Sequence, residues 1–105
     1  MEILRVRYRK FSVNAGVDAV GCEMEVRAGK QDWFVFMTAC AGEQFVVARR
    51  SPFDDMFNGV AEKPSDVGVL REFENRKKAC ADRRYGKAIR KLCAVFDMIM
   101  DLDLE

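Results

Sequence analysis

The chain changes its hydrophobic period partway along. Up to residue 50 apolar and polar positions mostly alternate, and from residue 51 onward apolar positions recur three and four residues apart. Leu4, Val6 and Tyr8 alternate with Arg5, Arg7 and Arg9, and Val20, Cys22, Met24 and Val26 alternate with Glu23 and Glu25. Between these runs Asn14-Ala15-Gly16 carries turn chemistry. A turn centred on Ala15 sets Arg5 against Glu25 and Arg7 against Glu23. It also sets Leu4, Val6 and Tyr8 against Val26, Met24 and Cys22. Charge matching and apolar matching select the same register, as expected of a true hairpin.

A second turn, Ala28 to Asp32, leads into residues 33–41, which pass without a charge. Alternation divides this strand into Trp33, Val35, Met37 and Ala39 on one face and Phe34, Phe36, Thr38 and Cys40 on the other. Both faces are apolar and each needs a cover. Gly42-Glu43 marks a third turn, and residues 44–49 read as a fourth strand around Phe45-Val46-Val47-Ala48.

Ser51-Pro52-Phe53-Asp54 has the composition of a helix start, with Ser as N-cap and Pro in the first turn. Phe53, Met56, Phe57 and Val60 continue it with helical spacing, and Gly59 stands where the helix stops. A linker, residues 61–64, precedes Ser65 and Asp66, either of which could cap the next element. From Val67 to about Asp101 the pattern is helical. Tyr85, Ala88, Ile89, Leu92, Phe96 and Ile99 form one stripe, with Arg83, Lys87 and Arg90 opposite. Leu70 and Phe73 form an earlier stripe rotated from this one and interrupted by Lys77, so the segment is one bent helix or two, with the break near residues 82–86.

The fold predicted is a single α+β domain over residues 1–105. A four-stranded antiparallel meander (1–50) is followed by a short helix (51–60) and a long helical segment (65–101), one bent helix or two, packed on the sheet. A length of 105 residues suits one domain with its own core. No uncharged apolar run approaches the roughly 18 residues of a membrane span, and Met1 to Lys10 are not followed by the apolar region of a secretion signal. Cys22, Cys40, Cys80 and Cys93 form no C-x-x-C pair, and the chain has no histidine. Reduced core thiols in a cytoplasmic setting are expected, without zinc or another cofactor.

An enzyme is not expected. Without histidine there is no Ser-His or Cys-His pair, and no Gly-rich phosphate loop occurs. Asp54-Asp55 has a ready role at a helix start, and Glu23 and Glu25 already face arginines.

Charge supplies the one functional signal. Arg76, Lys77, Lys78, Arg83, Arg84, Lys87, Arg90 and Lys91 occur with a single acid, Asp82, so this segment is net +7 in a chain of net +1. Such a concentration suits a surface that meets phosphates or an acidic protein face. It also suits a solvated helix face neutralised by Glu72, Glu74, Asp97, Asp101, Asp103 and Glu105. Trp33, Phe34 and Phe36 read either as core or as an exposed platform on which unpaired bases stack. The function expected is a small non-enzymatic module that binds nucleic acid through its basic helical face. The alternative is a protein-interaction module, such as a compact inhibitor or adaptor. A homodimer is a further expectation, because one short helix has to cover the second face of residues 33–41.

Overall fold

In the computed structural model, residues 1–13, 16–60 and 68–103 are described, without the side chains at 13 and 103. The expected linker, the Ser65 or Asp66 cap, the first two residues of the Asn14-Ala15-Gly16 turn and Glu105 lie outside them. The first two strands, β1 (Glu2–Val13) and β2 (Val17–Ala28), pair antiparallel with Arg5 opposite Glu25, Val6 opposite Met24, Arg7 opposite Glu23 and Tyr8 opposite Cys22. One detail differs from the sequence expectation. The register shifts between Ile3 and Arg5, so Ile3 rather than Leu4 stands opposite Val26. Strands β3 (Gln31–Ala39) and β4 (Glu43–Ala48) complete the meander.

A fifth strand, β5 (Val69–Phe73), lies where a helix was expected. It pairs antiparallel with β4, Phe45 opposite Phe73 and Val47 opposite Arg71, and the sheet order is β1-β2-β3-β4-β5. The physical reason is the open edge of β4, four of whose six residues are buried. A fully buried strand needs partners for its main-chain groups on both sides. Phe73 enters the core beside Phe45, while Leu70, read as its helical partner, is largely exposed.

The rest of the expected helical segment is two helices, α2 (Arg76–Cys80) and α3 (Gly86–Asp103), which follow the six-residue α1 (Pro52–Phe57). Asn75 caps α2 by accepting from the Lys78 N–H at 2.9 Å, which explains why Lys77 broke the apolar stripe. The break before α3 is built by Asp82, whose carboxylate accepts from the Tyr85 and Arg84 N–H groups at 2.7 and 3.0 Å. Gly86 allows the close approach of the two helices, since a Cβ there would lie 2.7 Å from the Cys80 carbonyl oxygen.

Helix α3 lies on one sheet face. Its Ala88, Ile89, Leu92 and Phe96 pack with Met24, Val35, Met37, Phe45 and Val47, all buried. Burying a side chain of this size contributes about 1.5–3 kcal/mol. The other face is covered by α1. Phe53 meets Phe36 and Phe57 edge-on, at centroid distances of 6.4 and 4.7 Å, and Phe57 meets Phe11 at 5.2 Å. Two turns of helix therefore suffice for Phe36, which has no exposed surface. Phe34, on the same face, stays half-buried. Among the described residues no helix is long and apolar enough to cross a membrane.

Candidate functional site

The eight cations of the basic segment divide by what they touch. Arg76 is partly exposed but engaged by two carboxylates. Its Nε and Nη2 donate to both Glu43 oxygens at 2.7 and 2.6 Å, and its Nη1 and Nη2 donate to Asp97 at 2.9 and 3.0 Å. This fork ties the start of β4 to α2 and α3, and the two carboxylates, Asp97 first, hold the guanidinium even further above its ordinary pKa. Lys78 sits 3.5 Å from Glu74, an exposed pair one helical turn apart. Sequence reasoning had placed both residues in the binding set. Arg76 leaves it because its full donor fork is spent on the fold.

Six cations have no carboxylate partner among the described residues. Lys77, Arg83, Lys87 and Lys91 are exposed and in no ion pair. Arg90 donates from Nη1 to the Cys80 carbonyl oxygen at 2.6 Å, satisfying the end of α2 while keeping its charge. The Arg84 guanidinium lies over the Tyr85 ring, 5.4 Å from its centroid. Two acids that sequence reasoning offered as neutralising partners, Glu74 and Asp97, are taken by Lys78 and Arg76. Asp82 faces Arg71 at 3.6 Å. Because α3 begins at Gly86, Arg83 and Arg84 belong to the preceding turn, not to the helix face on which periodicity had placed Arg83. Lys87, Arg90 and Lys91, spaced i, i+3 and i+4, form the helical part of the surface.

The three aromatics separate as well. Phe36 is buried and takes no part in a surface platform, because α1 closes over it. Phe34 is half-buried on that same face. Trp33 is half-buried on the opposite face and meets Tyr85 edge-on at 5.3 Å. These two rings help line an open cavity of about 290 Å³ with Gln31, Asp32, Arg49 and Arg84. Four separate pieces of chain meet there: the start of β3, the exit of β4, β5, and the turn before α3. Trp33 and Arg84 are binding candidates from the sequence, whereas Tyr85 belongs there to the apolar stripe and Arg49 lies outside the basic segment. Tyr85 heads the apolar stripe just before Gly86, where a ring at a helix start is only partly covered; that position was the available signal. A second cavity, about 340 Å³, lies beside Cys40 and is lined by Glu43 and Glu74 with no cation.

Several carboxylates outside the basic segment are held by cations or hydrogen-bond donors. Asp54 is bound to Arg7, Asp55 to Arg50, and Glu23 is enclosed by Arg7 and Ser51. Among the described residues no three or more Cys, Asp or Glu side chains converge as a metal site would require. The chain matches no protein-family model, no curated protein and no solved structure.

Proposed function

We propose that the protein is a small non-enzymatic module that binds nucleic acid through the cations of the turn before α3 and the exposed side of α3. The observation that carries this reading is the unpaired state of Arg83, Lys87 and Lys91, together with Arg84 and Arg90, whose partners are uncharged. Glu74 and Asp97 pair with Lys78 and Arg76 and neutralise none of these five cations. Phosphates are the natural counterpart, because lysines and arginines exposed in a row release condensed counterions when they meet a nucleic-acid backbone.

Fluorescence anisotropy of a labelled single strand, followed over a salt series, tests this. Four to six phosphate contacts should give a log-log slope near −3 to −4, at about 0.7 per contact for single strands. The combined variant Arg83→Glu, Lys87→Glu, Lys91→Glu should lose binding. If the unmodified protein binds neither single strand nor duplex at low salt, the reading falls and the protein-interaction module replaces it.

A further inference from the structure

We propose that the cavity lined by Trp33 and Tyr85 is a nucleobase subsite that takes one unpaired base, its adjoining phosphates held by Arg84 and Arg49. The inference rests on the nucleic-acid reading above and deepens it: the partner is a single strand, and one of its bases leaves the stack to enter the protein.

The size of the cavity is the first ground. A volume of about 290 Å³ lies at the lower limit for small-molecule pockets, which run from about 300 to 1,000 Å³. It suits one planar ring system. A base within a duplex has both faces stacked and cannot enter without leaving the helix.

The walls supply the second ground. Trp33 and Tyr85 are both packed against the core yet only half-buried, so each retains accessible ring surface. Their edge-to-face contact at 5.3 Å and 64° fixes one against the other, and the Tyr85 N–H bond to Asp82 fixes the turn that presents the ring. Fixed aromatic rings bind bases at low ordering cost. Gln31 adds an amide to the lining, a group that pairs with the donors and acceptors of a base edge.

Charge is the third. Among the described residues Arg49 and Arg84 have no carboxylate partner, and the one acid in the lining, Asp32, is engaged by Arg27 at 2.9 Å. The Arg84 guanidinium lies over one face of Tyr85, so the cavity combines the accessible surface of Trp33 with positive charge, the complement of a flat ring that carries phosphate. Arg84 belongs both to this lining and to the basic surface, so a strand following Arg83, Arg84 and Lys87 passes the cavity mouth.

Trp33 is the only tryptophan in the chain, so its emission reports this site alone. The full chain is titrated at low salt with oligothymidylate and with an abasic oligomer of the same length and charge. Oligothymidylate should quench Trp33 and bind about 5- to 150-fold more tightly, the range expected of one stacked base. The abasic oligomer should bind with the same salt dependence and leave the emission unchanged. Ala28→Phe, at an exposed position in the lining, should remove the quench and the preference while leaving abasic binding intact. Equal affinities with unchanged emission overturn the subsite and leave the basic-surface reading standing. A quench by inorganic phosphate alone overturns it too, in favour of a simple anion site. Binding of neither oligomer overturns both readings.

Discussion

Arg7 holds Glu23 across the first hairpin, Nη2 to Oε2 at 2.6 Å, where the carboxylate has only 1% of its surface exposed. Three further groups close on it from the start of α1. The Ser51 hydroxyl lies 2.8 and 3.0 Å from the two Glu23 oxygens, the Phe53 N–H donates to Oε1 at 3.2 Å, and Asp54 binds the other arm of Arg7. The pair thus joins the hairpin register to the helix that covers the second sheet face. Ser51 serves both, because its Oγ also accepts the Asp54 N–H at 3.0 Å as N-cap.

The first prediction concerns this pair. Arg7→Ala leaves a buried carboxylate without its counter-charge, a loss of about 3–5 kcal/mol, which is a large share of a domain stability of about 5–15 kcal/mol. Adding Glu23→Gln should restore part of it, since a neutral amide needs no counter-charge. Urea denaturation of the single and double variants measures both steps. Equal stability of Arg7→Ala and the unmodified protein would refute the account.

The acid limb of stability follows from two carboxylates. The hydrogen bond from Arg7 lowers the pKa of Asp54, and the hydrogen bonds from Arg76 lower that of Asp97, each from its ordinary 3.8. A depressed carboxylate stabilises the fold above its unfolded pKa and loses that contribution as pH falls through the folded value. Stability should therefore hold from neutrality down to about pH 4 and decline below it. The double variant Asp54→Asn, Asp97→Asn should start lower at neutral pH and decline less steeply in acid. Both carboxylates are about half exposed (47% and 54%), which keeps the effect modest. Thermal melts between pH 2 and 7 for the two proteins give the comparison.

How much of this was legible in the sequence depends on how local each signal is. The pairing of Arg7 with Glu23 was readable, because charge and apolar patterns on neighbouring strands constrained one register. That Glu23 is buried was not readable, since it depends on α1 returning over the sheet nearly thirty residues later. The Ser51-Pro52 start was readable from cap chemistry. Strand β5 was missed because Val69 to Phe73 carries apolar residues at spacings that fit either period, and the open edge of β4 decided between them. Among the candidate site residues, Arg76 looked like any other member of the charge run. Only the convergence of Glu43 and Asp97, from two other elements, removes it. Which residues converge on the cavity is not readable in sequence, because four separate pieces of chain build the site, and only the place of Tyr85 just before Gly86 hints at it.

The thiols differ more than the sequence suggested. Cys22 and Cys93 are buried, and that burial pushes their pKa values up to about 11 and about 12. Cys80 is half-buried with its sulfur 4.0 Å from that of Cys93. Cys40, expected in the core, is exposed, because β3 ends at Ala39 and the turn through Ala41 (φ 54°) and Gly42 carries it outward. A disulfide reagent at mildly alkaline pH should label Cys40 in a fast phase and Cys80 more slowly. Cys22 and Cys93 should react only when the protein unfolds, since the thiolate is the attacking species. Cys40→Ser should delete the fast phase alone, and a fast phase that survives this substitution would contradict the assignment.

The last prediction separates two kinds of cation that look alike in the sequence. Arg76 joins β4, α2 and α3 through four hydrogen bonds to Glu43 and Asp97. Arg76→Ala removes a bidentate fork from each of two carboxylates and should cost more than any change at an unpaired surface cation, about 1–3 kcal/mol. Lys87 and Lys91 make no ion pair, so Lys87→Ala and Lys91→Ala should change stability by under about 0.5 kcal/mol. Binding should show the opposite order. Each lysine replaced should flatten the salt dependence by about 0.7 in log-log slope, whereas Arg76→Ala, measured at a temperature where it remains folded, should leave that slope unchanged. The physical ground is that the Arg76 guanidinium is held facing Glu43 and Asp97 and is not offered to a phosphate. Denaturation and anisotropy on the same three variants decide the matter. If Arg76→Ala flattens the slope as much as the lysine variants do, the fork opens to meet phosphate, and the division between structural and binding cations must be redrawn.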